Sequence, residues 1–386
     1  MTTAANDASA VIIREVKRFV DKEVIPVATE LEHKNEYPAA LVDQLAEMGV
    51  FAMTIGSEYG GLGLPFVTYA AVVEELSRGW MSVAGFVNTH VIVSYIIENF
   101  GTDEQKRQWL PIMVEGKQRF AFTLTEPDAG SDVAAIKTFA LKNGDEYRLT
   151  GNKMFVSNGR RAAYYLVLCK TDRNANPPHR GISALIVDQK SPGVVVQRDI
   201  EKLGYKGLDT VALSFDDVRV PVTNLVGGKE GDGFRQVMSG LEVGRINVAS
   251  RAVGLARAAF EDAIAYSFQR KAFGKPIFEH QAVHMRLADM ATKIEAARLL
   301  VKQAAEKKDR GERSDLEAGM AKLFASEMCQ EVVIDAMRTF GGYGYTKDMR
   351  AERYYRDAPM LIVGEGTSDI QKIVIARSLE RLYKKE

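Results

Sequence analysis

The 386-residue sequence predicts a multidomain α+β protein: an N-terminal all-α domain, a middle β-barrel or sandwich domain, and a C-terminal helical bundle. Three observations carry this. Up to about residue 116, apolar residues recur at helical spacing. Between 118 and about 226, short runs rich in β-branched and aromatic residues alternate with Gly, Asn, Asp and Pro. From 231 onward the stretches are long and poor in helix breakers, with Ala-rich faces. The domains are therefore expected at 1–117, 118–230 and 231–386.

In the first domain Val11, Ile12, Val16, Phe19 and Val20 trace one helical face. Leu41, Leu45 and Met48 trace another before Gly49 interrupts. Segment 66–78 reads as an amphipathic helix, and 87–99 as a nearly apolar one that must be buried. Thr102 ahead of Asp103, Glu104 and Gln105 has the form of an N-cap. In the middle domain strands are expected at 120–126, 146–151, 153–158, 164–171, 182–188, 193–199 and 211–220. No helical stretch separates them, which argues against βαβ units. In the third, helices are expected over 233–269, 277–309, 314–339 and 368–384, lengths that suit an antiparallel bundle.

Composition excludes several function classes. Lys plus Arg (51) balances Asp plus Glu (51), so nucleic acid and anionic membranes are not the expected partners. No stretch approaches ~18 uncharged apolar residues, so no membrane span is expected. Neither end carries a targeting or lipidation signal, and the two cysteines, Cys169 and Cys329, fit a reducing compartment. A cytoplasmic location is expected, and a mitochondrial matrix protein stripped of its presequence would read the same way. No metal site is expected: His280 and His284 are four apart, but no third ligand accompanies them. Dinucleotide, P-loop, HExxH and GxSxG motifs are all missing.

Three clusters carry chemistry. Thr125-Glu126-Pro127-Asp128-Ala129-Gly130-Ser131-Asp132 follows a strand and can turn backbone N–H groups and hydroxyls toward an anionic or aromatic ligand. It fits an ordinary strand-end turn as well. Phe340-Gly341-Gly342-Tyr343-Gly344-Tyr345 allows close backbone approach to a ligand or partner chain, or simply ends a helix. Gly364-Glu365-Gly366-Thr367 leaves an approachable carboxylate between glycines, and taken alone reads as a surface turn.

The combination is more specific. TEPDAGSD, RKAFGKPIFEHQ (270–281), FGGYGY followed by Arg356-Asp357, and GEGTSDIQ together resemble the acyl-CoA dehydrogenase family, in order and spacing along essentially the whole chain. The resemblance implies an FAD-dependent oxidoreductase with a C-terminal four-helix bundle, assembled as a homotetramer (a dimer of dimers). Its reaction is the α,β-dehydrogenation of an acyl-CoA thioester to the trans-2-enoyl-CoA, with electrons passed to an electron-transfer flavoprotein. By similarity, Phe122, Thr123, Leu124 and Thr125 line the flavin ring, Phe155, Val156 and Ser157 flank it, and Gly130 and Ser131 approach the phosphate and substrate side. Arg270, Phe273, Gln281, Arg338, Gly341 and Gly342 match contacts to the FAD of a neighbouring subunit, and Thr367 and Asp369 match positions near its adenosine–pyrophosphate part.

Glu365 matches the family's catalytic base, with Gly366 leaving room for the thioester. The chemistry needs a base for the α-proton and an acceptor for the β-hydride, the latter being flavin N5. Some relatives carry the base at the position of Gly244, which has no carboxylate here. Glu242, Arg245 and Ser131 are expected to contact the substrate, the first two at its CoA part. Val87, Val91, Ile92 and Tyr95 either line the acyl pocket or are plain core. The chain departs from the family at Arg338, Thr123 and Gly364. The last replaces a bulky aromatic of several relatives and would widen the slot for a branched or bulky acyl group, and a short or branched acyl-CoA is the expected substrate. The alternatives are altered chemistry on the same scaffold (an acyl-CoA oxidase or the elimination of another leaving group) and a non-catalytic scaffold subunit.

Overall fold

The computed structural model describes residues 3–384, so the outermost residues of both termini, read above for targeting signals, lie outside the description. The first region contains α1 (Thr3–Phe19), which runs through a π-turn at Val20–Val24 into α2 (Ile25–Lys34), then α3 (Ala39–Glu47), α4 (Phe66–Gly79), α5 (Met81–Phe100) and α6 (Asp103–Val114). Thr102 caps α6 in a full capping box with Gln105. Helix α5 starts six residues before the expected 87 and, contrary to the sequence expectation, is apolar and long enough to cross a membrane. It is instead the central core helix, with 89% of its most apolar window buried.

The middle region is one seven-stranded curled sheet: β1 (Phe120–Thr123), β2 (Phe139–Asn143), β3 (Glu146–Ser157), β4 (Tyr164–Lys170), β5 (Ile182–Asp188), β6 (Val194–Asp199) and β7 (Thr210–Pro221). The order is β1-β4-β2-β3-β7-β6, with β5 pairing β4. Two of its pairings, β1 with β4 and β2 with β4, are parallel. The two runs expected at 146–151 and 153–158 are one strand. One face of the sheet curls around Tyr147, Leu149, Tyr165, Val167, Leu213 and Phe215. The other presents Leu166, Leu168 and Ile186 to α5 and α6.

The third region contains α7 (Gly233–Gln269), a small hairpin of β8 (Lys271–Ala272) and β9 (Lys275–Pro276), α8 (Gln281–Asp309), α9 (Asp315–Phe340), α10 (Ala351–Val363) and α11 (Ser368–Tyr383). Helix α10 was not anticipated: Pro359 inside it is a breaker signal, and its regularly spaced buried face includes the charged Arg353 and Asp357, which do not read as core in a sequence. Helix α9 is central, packed by α7, α8, α10 and α11. One continuous core joins the two helical regions, from Val16 and Trp80 to Val253 and Leu361. A loop from the sheet enters it as well. Tyr205, with φ +56°, lies so close to Gly85 that a Cβ there would meet its hydroxyl at 1.8 Å. That contact requires glycine.

Candidate functional site

Glu365 stands between the C-terminus of α10 and the N-terminus of α11 with φ +55°, a left-handed conformation uncommon for glutamate. Its neighbour Gly366 has φ +89°, and the Gln371 amide donates to the carbonyls of Glu365 (3.3 Å) and Gly366 (3.0 Å). This turn drives the carboxylate inward between α5, α7 and α9. Oε1 accepts from the Asn88 amide of α5 and, at 3.5 Å, from the Arg251 guanidinium of α7. Oε2 is buried with no partner. Burial raises the Glu365 pKa, opposed by Arg251, the Asn88 hydrogen bond, Lys322 and Arg245, and burial wins. A buried carboxylate with one free oxygen and a raised pKa has the attributes of a general base.

Gly244 faces that free oxygen: a Cβ on it would lie 2.1 Å from Oε2 and 2.9 Å from Ile92 Cδ1. Positions 244 and 365 therefore address the same volume. Arg245 is almost fully buried and its Nε has no partner. Glu242 is already engaged, with Oε2 accepting from Lys308 Nζ and Ser314 Oγ, both at 3.0 Å. Lys322 is buried on α9, where burial lowers its pKa to about 8. A Cβ at Gly364 would come 2.9 Å from Met360 Sδ and 3.1 Å from the Met360 carbonyl oxygen, so the last turn of α10 crowds this position.

The TEPDAGSD loop is pinned by two charges. Lys153 is fully buried, and its Nζ donates to Glu126 Oε1 (2.8 Å) and to the Leu124 carbonyl (3.0 Å). The Glu126 carboxylate also accepts from the backbone N–H of Lys137 (2.6 Å) and Thr138 (3.0 Å). Burial would raise the Glu126 pKa, but Lys153 and these donors hold it below the usual range. The Met154 N–H reaches the Thr125 carbonyl at 2.8 Å. A register shift in β3 between Lys153 and Val156, with φ +58° at Phe155, turns the Phe155 ring outward to 57% exposure. Phe122, Leu124 and Thr125 are partly open beside it, and Gly130 and Ser131 are exposed.

Two expected ring contacts do not present side chains there. Thr123 is fully buried and its hydroxyl donates to the Leu166 carbonyl within the sheet. Val156 belongs to the sheet's inner core, because the residue after the outward-turned Phe155 faces in. Ser157 is partly exposed. At the far side of the bundle, Arg270, Gly341 and Gly342 line one open cleft together with Tyr266 and Tyr343. Gly341 has φ +63°, and neither glycine has an atom within 4 Å of its Cβ position. Gln281 lines a second cleft with Asp335, the ion-pair partner of Arg338. Phe273 caps the projecting hairpin at 96% exposure. Thr367 caps α11, and Asp369 is exposed beside Lys372. Exposed aromatic faces, open glycine backbone and an unburied guanidinium suit a cofactor with a flat ring and a pyrophosphate.

Sequence reading missed Asn88, Tyr205 and Arg251. They come from three elements, and nothing local distinguishes them from ordinary helix or loop residues. Val87 and Val91 are core, while Ile92 reaches the Glu365 carboxylate's volume. His280 and His284 each engage a backbone carbonyl, of Ala272 and Phe278. Among the described residues, Glu32, His33 and Glu352 come close enough to hold an ion, but Arg356 already pairs with both carboxylates.

Family models described as the N-terminal, middle and C-terminal domains of acyl-CoA dehydrogenase match residues 6–117, 121–218 and 231–380. The short-chain specific acyl-CoA dehydrogenase of Bos taurus is 40% identical over 368 residues, 95% of this chain and 88% of that protein. The butyryl-CoA dehydrogenase of Megasphaera elsdenii superposes with a TM-score of 0.94 at 38% identity, over 98% of each chain. A chain in a structure described as the electron transferring flavoprotein of Acidaminococcus fermentans superposes with a TM-score of 0.93 at 39% identity, over 99% of each chain.

Proposed function

This chain belongs to the acyl-CoA dehydrogenase family, and on that premise we propose that it oxidises a short-chain acyl-CoA to the trans-2-enoyl-CoA with Glu365 as the base. Members of the family are FAD-dependent oxidoreductases acting on acyl-CoA thioesters. The observation that carries the assignment of Glu365 is its buried, unpartnered Oε2. FAD supplies the acceptor for the β-hydride. Every other task falls to the protein. Phe122, Leu124, Thr125, Phe155 and Ser157 would hold the ring, and the backbones of Thr123 and Val156 keep those neighbours in place. Gly130 and Ser131 would meet the phosphate and substrate side. Arg270, Phe273, Gln281, Arg338, Gly341 and Gly342 would serve a cofactor shared with a second copy, in a homotetramer, with Thr367 and Asp369 near its adenosine end.

Glu365 Oε2 takes the α-proton, and Asn88 and Arg251 on Oε1 keep the other oxygen from rotating into its place. The backbone N–H of Glu365 would donate to the thioester oxygen, and Gly366 adds no side chain beside it. Arg245 is the buried cation available to the CoA part, and Glu242 orients the α7 surface through Lys308 and Ser314. Electrons leave to an electron-transfer flavoprotein. The test is anaerobic titration with acyl-CoAs of increasing length, following flavin absorbance. Short chains should bleach the flavin, and Glu365→Gln should slow bleaching by about 10²–10⁴-fold, the worth of a general base. Bleaching in the variant within tenfold of the parent refutes the assignment.

A further inference from the structure

Arg251 is 2% exposed. Of its five N–H donors, NH1 reaches the Tyr205 hydroxyl at 2.9 Å and NH2 reaches Glu365 Oε1 at a long 3.5 Å, while Nε has no partner. Such a guanidinium carries a large desolvation cost that one long contact does not offset. The groups facing this volume from α7 and α9 are also cationic, Arg245 and Lys322. The anions are Glu365 and, on α10, Asp357, whose Oδ1 accepts from the Tyr205 N–H at 2.6 Å and which lies close to Arg353 and Arg356. Arg251 therefore shares its one anionic contact with the group that does the chemistry.

That arrangement disfavours an apolar acyl group twice over. A cation beside the base stabilises the carboxylate and makes it a poorer base. When Glu365 takes a proton, Arg251 then loses its anion altogether. A second anion at Arg251 removes both difficulties: it pairs the guanidinium and cancels its pull on Glu365. We propose that the acyl group ends in a carboxylate, so that the substrate is the CoA thioester of a short dicarboxylic acid. Arg251 and the Tyr205 hydroxyl bind the distal carboxylate. The loop that supplies Tyr205 is locked by Asp357 and by the absence of a side chain at Gly85.

The inference rests on the dehydrogenase reading and names its substrate class. Its test compares succinyl-, glutaryl- and adipyl-CoA with isosteres in which an isopropyl group replaces the carboxylate, such as 5-methylhexanoyl-CoA for glutaryl-CoA. Flavin bleaching and the Kd from the flavin spectrum are measured in the FAD-loaded protein. The parent should favour the best carboxylated substrate over its isostere by at least tenfold in kcat/KM. Arg251→Gln should cut that ratio by about 100-fold, chiefly through Kd and KM. Tyr205→Phe, which keeps the ring, should cut it by about fivefold and serves if Arg251→Gln does not fold. A preference for the isostere, or a ratio that Arg251→Gln and Tyr205→Phe leave within twofold, overturns the proposal while leaving the dehydrogenase reading intact. Bleaching by neither class brings down both.

Discussion

Replacing Lys153 by methionine keeps the volume of its stem and removes one ammonium from the fully buried pair with Glu126. Breaking a buried ion pair from one side costs about 3–5 kcal/mol, because a charge is left without compensation. Here the remaining charge is Glu126, which retains the Lys137 and Thr138 N–H groups, so Lys153→Met should fall at the lower end, near 3 kcal/mol. Glu126→Met strands Lys153 with the Leu124 carbonyl alone and removes the acceptor of two amides, so it should reach the upper end, about 5 kcal/mol. The double variant buries no charge and should cost about 2 kcal/mol less than the two single changes added together. Urea unfolding gives the cycle, and flavin-to-protein absorbance after gel filtration gives the functional consequence. The pair ties Leu124 and the loop bearing Gly130 and Ser131 to the strand bearing Phe155, so both single variants should lose FAD. Costs below about 1 kcal/mol, or additivity to within ~0.5 kcal/mol, would refute the reasoning.

Three further outcomes follow from the geometry. The active form of Glu365 is the carboxylate, so kcat/KM should rise with pH through a pKa lying above the ordinary glutamate value; Lys322→Met, which removes a cation that lowers it, should move that rise to higher pH, and a shift downward would contradict the assigned electrostatics. Because a Cβ at Gly244 points at Oε2 from 2.1 Å, Gly244→Glu in a Glu365→Gly background should restore flavin bleaching that Glu365→Gly alone has lost, and no recovery in a folded, FAD-loaded double variant would show that the two positions do not share a volume. Phe273 is too exposed to be stable packing within one chain, so Phe273→Asp should reduce the oligomer seen by light scattering and weaken FAD retention together; an unchanged oligomer and unchanged FAD retention would place the hairpin away from any interface.

What could be read from the sequence follows physical range. The α–β–α order was legible because periodicity and breakers are local, and the capping box at Thr102 was legible for the same reason. Glu365 could be singled out because a glutamate between two glycines, far along a series of spaced motifs, is a local pattern with a specific context. Helix α10 was lost because Pro359 reads as a breaker and because its buried face carries Arg353 and Asp357, charges that a sequence reading assigns to the surface. The inward turn of the Val156 side chain was hidden because a β-bulge decides which face it takes, and the bulge at Lys153–Val156 has no signature of its own, whereas Thr123 faces inward by the regular alternation of β1.

The environment of Glu365 is the part the sequence hides most completely, and the reason is geometric. Asn88 lies 277 positions from Glu365 and Arg251 lies 114, and they meet only because α5 and α7 cross beside the turn that ends α10. Each is an unremarkable residue in its own helix. Their importance appears only as a balance of charges around one carboxylate. There the burial of Glu365 raises its pKa and Arg251 lowers it, so on the proposed reading a substrate able to pair with Arg251 would tip the balance toward proton abstraction. Substrate choice and base strength are then one property of the same three side chains. A change at Arg251 that alters which acyl group binds must also alter the pH at which Glu365 acts, in the direction of a higher pKa when the guanidinium is removed.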